Sequence, residues 1–358
     1  MSKILLTGGG TMGHVIPCLA LLPGLREHGH HAVYIGSRSL REKELVLGSG
    51  ISFYPVYSGK LRRYFDIKNF FDLFKIFAGL IQSLYILIKE RPDIVFSKGG
   101  HVSVPVVYAA YILRIPAVLH ESDITMGLAN RLCAPLVKNI CYSFEETKKS
   151  IDPQKAVFTG IPVRKELFEG CSDKGLDICG FTPNKPVLLV MGGSQGSRAI
   201  NEIVFSILDE LLKTFQVCHI CGKGAVRSEL SALEGYKAFE YIGPGMEHIF
   251  AMADIITARA GATSIFEFLA LKKLHILIPI PGHISRGDQL KNAESFRKKG
   301  YSVVIEESRL DGKMLLTTIN ELYHHPEKFR KNMESSTIEN SSRLIIDVIE
   351  KNTKRTRK

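Results

Sequence analysis

No stretch of this 358-residue sequence reaches the ~18 consecutive apolar residues that a membrane-spanning helix requires. Met1-Ser2-Lys3 leads directly into a short apolar stretch rather than the long core of a signal peptide, so a protein made and kept in the cytoplasm is expected. The seven cysteines (Cys18, Cys133, Cys141, Cys171, Cys179, Cys218, Cys221) are odd in number and scattered, which fits reduced, mostly buried thiols rather than a disulfide framework. Cys218-His219-Ile220-Cys221 has zinc-ligand spacing, but no second pair follows and the residues sit in an apolar run, which disfavours a metal there. No HExxH, GxSxG or Walker A pattern occurs. GxGxxG fits neither glycine-rich turn well, and no acidic residue is well placed after the second strand, which disfavours a dinucleotide. No nucleic-acid module signature occurs either.

What is present is the composition of an ordinary globular protein, 45% hydrophobic and 23% charged, long enough for about two domains. The net charge is +11, and the basic tail KNTKRTRK contributes to it. The chain stays basic without that tail, which favours an anionic partner: nucleic acid, anionic lipid or a phosphorylated substrate.

The stretch Val187–Asn201, VLLVMGGSQGSRAIN, organises the rest. Val187 to Met191 reads as a buried parallel strand, Gly192, Gly193 and Gly196 turn around Ser194 and Gln195, and Ala199 to Leu212 follows as a helix. A strand, a glycine-rich turn and a helix N-terminus form a phosphate cradle, because backbone N–H groups point outward and the helix dipole favours negative charge. The chain opens the same way, with Ile4–Thr7, a turn over Gly8–His14, and a helix starting at Pro17. Strands and helices alternate throughout, so two α/β halves with parallel sheets are predicted. Gly170–Lys185 reads as the linker between them, Phe239–Ile242 as a late strand, and Ser336–Lys351 as a terminal helix crossing back to the first half.

Polar residues gather at the predicted strand ends, where open α/β sheets bind ligands. In the first half these are His14, Lys98-Gly99-Gly100-His101, and His120-Glu121-Ser122-Asp123 just beyond a strand. His14 suits a general base for a hydroxyl nucleophile, or simply a cap on the turn. In the second half Ser194 suits phosphate oxygens, Glu267 a ribose diol, and Asp288 with Gln289 sugar hydroxyls; solvated helix faces are the plainer alternative. Arg164 suits a diphosphate or a closing contact between halves.

Between residues 61 and 90, Arg62, Arg63, Lys68 and Lys75 are interleaved with Phe70, Phe71, Phe74 and other apolar residues. One reading is amphipathic helices packed on the sheet. The other leaves part of the surface exposed to rest on an anionic membrane. The two are compatible.

Seven stretches taken together resemble the MurG family of glycosyltransferases, family 28, nearly end to end: GGGTMGHVIP (Gly8–Pro17), FSKGGHVSVPVV (Phe96–Val107), HESDITMGLAN (His120–Asn130), GIPVR (Gly160–Arg164), MGGSQGSRAIN (Met191–Asn201), ARAGATSIFEF (Ala258–Phe268) and RGDQLKNAE (Arg286–Glu294). The resemblance implies a GT-B fold, two Rossmann-like domains with parallel sheets facing across a cleft, here residues 1–163 for acceptor and membrane, 164–340 for donor, and 341–358 returning to the first domain. It implies inverting transfer of N-acetylglucosamine from UDP-N-acetylglucosamine to the C4 hydroxyl of the muramoyl sugar of lipid I, with no cofactor and no metal, at the cytoplasmic face of the membrane. On the donor side it implies Ser194 and Arg164 at the diphosphate, amides of Ala262 and Thr263 beside them, backbone near Gly243 at the uracil, Glu267 at the ribose, and Asp288 with Gln289 at the sugar. On the acceptor side it implies Thr11, Met12, Gly13, Gly99, Gly100 and Asp123, with His14 as candidate base. The membrane face would be Arg62, Arg63, Phe70, Phe71, Phe74 and Lys75. Three positions depart from the family pattern: Met12 where Gly is usual, Asp123 where Asn is frequent, and Asp288 where Gln is frequent. Rival readings are a GT-B enzyme with another lipid or small-molecule acceptor, such as a diacylglycerol glucosyltransferase, and a UDP-sugar-binding module without turnover.

Overall fold

Apolar runs that end in glycine form the centre of both halves. The computed structural model describes residues 1–59, 68–193, 195–284, 287–336 and 341–353, with the backbone alone for 68–73. Ser194, Arg62 and Arg63 lie outside the described residues, as do the side chains of Phe70 and Phe71. The chain divides into two units, Met1–Arg164 with Ile338–Lys358, and Lys165–Thr337.

The first unit holds strands β1 (Lys3–Thr7), β2 (His31–Gly36), β3 (Ser52–Pro55), β4 (Ile94–Ser97), β5 (Ala117–Glu121), β6 (Asn139–Tyr142) and β7 (Ala156–Phe158). They pair in parallel in the order β3-β2-β1-β4-β5-β6-β7. Successive side chains on a strand point to opposite faces, and this unit has two cores to match. Leu5, Val33, Ile35, Val95 and Leu119 pack with Ile86, Leu87, Val106 and Ala110 from the helices Lys68–Glu90 and Ser103–Ile112. Ile4, Leu6, Tyr34, Phe96 and Val118 pack on the other face with Val15, Leu21, Leu25 and with Ile345, Ile346 and Ile349 of the helix Ser341–Asn352.

The second unit holds β8 (Val187–Met191), β9 (Gln216–Ile220), β10 (Tyr236–Phe239), β11 (Ile255–Ala258), β12 (Leu274–Leu277) and β13 (Val303–Val304), parallel in the order β10-β9-β8-β11-β12-β13. Both sheets have the Rossmann strand order, with helices as crossovers.

Several boundaries differ from the sequence reading. The first helix begins at Met12, not Pro17; Pro17 lies inside it, and the helix stops at Leu19 before a second, Leu22–Glu27, takes over. Proline's missing amide shortens a helix from within as readily as it starts one. The run Ala199–Leu212 divides at Ile207 into the helices Arg198–Ser206 and Leu208–Thr214. The expected linker Gly170–Lys185 contains a helix, Ser172–Cys179, ended by Gly180 in the left-handed conformation. It packs closely through glycine: a Cβ on Gly175, or on Gly170 just before the helix, would overlap the carbonyl of His248 or Glu247 on the helix Met246–Met252. β10 lies three residues earlier than expected, and only Tyr236 of it is buried. The helices Gly312–His324 and Glu327–Glu334 were not anticipated, although Asp311 caps the first of them through Met314 N (2.7 Å).

Candidate active-site loops

In the first unit the sheet reverses its winding between β1 and β4. The chain leaves β1 toward β2 on one side, while β4 pairs on the other. Open α/β sheets bind ligands outside the carboxyl ends of the strands at such a point. Thr7 and Ser97, the last residues of the two strands, are register partners, so the loops that follow lie side by side. Only glycine permits this closeness: Gly100 has φ +84°, and a Cβ there would overlap the Gly9 carbonyl oxygen.

Thr11 precedes the helix Met12–Leu19, and its Oγ1 lies 2.9 Å from His14 Nδ1 in that helix's first turn. Gly13 is exposed and His14 half-buried, beside Gly100. Met12 packs against the core beneath β1, so its departure from the family's glycine places a side chain in the core. The structure thus brings Thr11, Gly13, His14, Gly99 and Gly100 together.

Beneath these loops lies a buried polar layer. Lys98 is 1% exposed and donates from Nζ to Ser122 Oγ. Burial holds its ammonium below the usual lysine range, opposed by the fields of Glu121 and Asp123. Glu121, also buried, accepts from Asp123 N (3.1 Å), Gly127 N (2.9 Å) and Asn130 Nδ2 (2.8 Å). Burial and the Asp123 carboxylate nevertheless push it above the usual carboxylate range. His120 and Glu121 were expected beyond their strand, facing a ligand. Both are instead inside β5: His120 is fully buried, its Nε2 lies 2.7 Å from Gly160 O, and burial pushes the ring well below its usual value, leaving it neutral. Ser122 and Asp123 of that group lie past the strand, both half-buried. Arg164 is the last residue of the first unit and half-buried.

In the second unit the winding reverses between β8 and β11, whose ends Met191 and Ala258 are again register partners. At Gly196, φ +77°, a Cβ would overlap the Cys221 carbonyl, which presses the first loop onto the end of β9. Ser197 caps the helix Arg198–Ser206. Arg259, which the sequence reading missed, ties three strand ends together. Its Nη2 donates to Ser197 Oγ (2.6 Å), its Nη1 to Ile278 O (3.0 Å), and it pairs with Glu307. The only sequence signal was an arginine directly after a buried strand.

The helix Ala262–Ala270 starts from Gly261 with no side-chain cap, and a Cβ on Gly261 would meet nothing within 4 Å. The amides of Ala262 and Thr263 therefore begin a nine-residue helix without a side-chain cap, a favourable end for an anion. Glu267 lies one and a half turns further and is 6% exposed. Gln289 Oε1 accepts from Ile280 N (3.2 Å), which pins that side chain beside the end of β12. Asp288 opens the helix Asp288–Lys298 after Gly287 at φ +74°. Gly243 lies beyond β10, close under the Tyr241 ring. A recess of about 400 Å³ beside the β8 loop is lined by Ser197, Arg198, Phe205 and Arg227. Gln195, Gly196 and Ser197 of the β8 turn line it, and none of the residues at the start of Ala262–Ala270 does. Cys218-His219-Ile220-Cys221 is committed to the core: His219 lies 3.1 Å from both Tyr236 OH and Asn201 Oδ1, and burial lowers it to about 4.

The helix Lys68–Glu90 buries one face against the core and leaves another exposed. Gly79, Ser83, Ile86 and Leu87 face the core, while Phe74, Phe77, Ile81, Tyr85 and Ile88 form an exposed apolar row. Lys75, also exposed, stands next to that row. An exposed apolar row of this size marks an interaction surface. Among the described residues no helix is long and apolar enough to cross a membrane.

Residues 4–142 match the family model for the glycosyltransferase family 28 N-terminal domain, and residues 187–349 the model for its C-terminal domain. The chain is 49% identical over 349 residues, 98% of each chain, to a Clostridium tetani protein named UDP-N-acetylglucosamine--N-acetylmuramyl-(pentapeptide) pyrophosphoryl-undecaprenol N-acetylglucosamine transferase. It is 50% identical over 351 residues to a protein of the same name from Clostridium kluyveri, covering 98% of this chain and 99% of that one. The crystal structure of Acinetobacter baumannii MurG shares its fold with a TM-score of 0.75 at 22% identity, over 98% of this chain and 100% of that one. With both domain models matched in order and this fold shared, the chain belongs to glycosyltransferase family 28 and has the GT-B fold.

Proposed function

We propose that this enzyme transfers N-acetylglucosamine from UDP-N-acetylglucosamine to the muramyl-pentapeptide pyrophosphoryl-undecaprenol acceptor, lipid I, and so forms lipid II for peptidoglycan. The observation that carries this reading is the near end-to-end identity of 49–50% to transferases of that name. The acceptor's C4 hydroxyl attacks the anomeric carbon from the face opposite UDP, the C–O bond to the diphosphate breaks, and the configuration inverts. In this reading the second unit takes the donor. Amides at the start of Ala262–Ala270 and the Ser194 turn receive the diphosphate, with Arg164 contributing to it. Glu267 takes the ribose hydroxyls, backbone near Gly243 the uracil, and Asp288 with Gln289 the sugar. The first unit takes the acceptor's diphosphate on the paired loops at Thr11–His14 and Gly99–Gly100, with Asp123 at their side, and His14 accepts the hydroxyl proton. Neither nucleic acid nor a cofactor has a part.

Labelled N-acetylglucosamine transfer onto a lipid I analogue, with UDP-glucose as competitor, tests this. Failure of the intact protein to transfer, or equal use of UDP-glucose, overturns it. Glu267→Ala is expected to raise the KM for donor about 10- to 100-fold, the loss of hydrogen bonds to a charged group, with a smaller effect on the KM for acceptor.

The exposed row Phe74–Ile88 supports docking on the cytoplasmic membrane, with the exposed Lys75 and Lys89 of the same helix at anionic head groups. Phe74→Ser with Phe77→Ser is expected to weaken sedimentation with anionic vesicles by ~10-fold or more and to leave UDP binding unchanged. Unaltered sedimentation would count against that face.

A further inference from the structure

At the amino end of β2, opposite the strand ends that carry the glycine loops, two histidines converge on one carboxylate. His28 Nδ1 and His30 Nε2 each lie 2.8 Å from Glu350 Oε1. The histidines are separated by one residue, but the glutamate comes from the far end of the chain, 320 and 322 positions away. Both arms are firmly held. His28 N donates to Gly24 O, Gly29 N to Arg26 O and His30 N to Leu25 O, which fixes the turn between the helix Leu22–Glu27 and β2. Glu350 is carried by a helix whose Ile345, Ile346 and Ile349 are locked in the core.

The ligand atoms lie within 4.8 Å of one another, the only such group of three among the described residues. A tetrahedral zinc ion with bonds of about 2.0–2.1 Å needs neighbouring ligand atoms about 3.3 Å apart, within reach of small side-chain rotations from this arrangement. His30 is nearly buried, and its Nδ1 has no hydrogen-bond partner. His28 and Glu350 remain 40% and 37% exposed, which gives a hydrated ion a way in. We propose that His28, His30 and Glu350 form a site for a divalent transition-metal ion of the zinc class, a clip that fastens the C-terminal helix to the turn before β2. The ion takes Nδ1 of His28, Nε2 of His30 and a carboxylate oxygen, with water completing the shell. Its position at the opposite end of the strands makes the role structural.

The test uses the full chain, stripped with chelator and titrated with Zn²⁺ in calorimetry and thermal melts. One equivalent is expected to bind. At a hundredfold excess over Kd it should raise the melting temperature of the first unit by about 5 °C or more. His28→Gln and Glu350→Gln should each weaken that binding at least tenfold and so reduce the shift by about half or more at the same Zn²⁺ concentration, while transfer activity without metal is unchanged. Co²⁺ should give tetrahedral absorption with no thiolate charge-transfer band, which separates this site from the seven cysteines. Binding unaffected by the two variants, a thiolate band, or a melting temperature that ignores Zn²⁺ overturns the proposal.

Discussion

Replacing His14 by alanine is expected to lower kcat about 100- to 10,000-fold, the contribution of a positioned general base, with a much smaller change in KM for either substrate. The argument rests on position. The ring stands in the first turn of the helix that leaves β1, beside Gly100 of the neighbouring loop, where the sheet changes its direction of winding. Thr11 Oγ1 lies 2.9 Å from Nδ1; with the Nδ1 proton donated to that hydroxyl, the basic lone pair is on Nε2. His14→Gln keeps polar atoms of similar reach and removes the base, so it should be as slow as alanine. Thr11→Val removes only the orienting contact, and should be milder and leave the pH profile in place. In the alanine variant the acidic limb of the pH–rate profile should flatten. Turnover within tenfold of the native enzyme would show that another group takes the proton.

How much of this was legible beforehand follows from the physics of each part. The sheets were legible because buried parallel strands are apolar on both faces and end abruptly in glycine, as at Val187–Met191 and Lys3–Thr7. The glycines that follow β8 and the helix start at Ala262 were legible for the same reason. Helix Ser172–Cys179 was not: it is short, and it packs through Gly175 against a carbonyl, whereas periodicity sees only side chains. His120 and Glu121 were placed outside their strand because polar residues normally end a buried strand. Here Gly160 O partners His120 Nε2 and the 121–130 segment partners Glu121 within it, and only tertiary structure supplies those partners. Arg259 escaped notice because its bonds reach the ends of β8 and β12, a pattern with no local period.

The largest effect on stability is expected at Glu121. Glu121→Ala removes the acceptor of three bonds, from Asp123 N, Gly127 N and Asn130 Nδ2, and takes away one of the two carboxylates whose field opposes the burial of Lys98. Breaking a buried charge arrangement from one side costs about 3–5 kcal/mol, because the remaining charge stays in the interior. For a unit of this size that corresponds to a fall in melting temperature of roughly 6–20 °C. The chain has no tryptophan, so the transition is best followed by circular dichroism, with amide exchange to assign it to the first unit. Glu121→Gln preserves shape and one acceptor oxygen, and should lose less. If Lys98 is the cause, adding Lys98→Met to Glu121→Ala should cost less than the sum of the single changes, since no unopposed charge is then left. Strict additivity would mean that the three lost hydrogen bonds, rather than the lysine, account for the destabilisation. A melting temperature unchanged by Glu121→Ala would mean that water replaces the carboxylate without loss, and that the layer beneath the loops is not the support described.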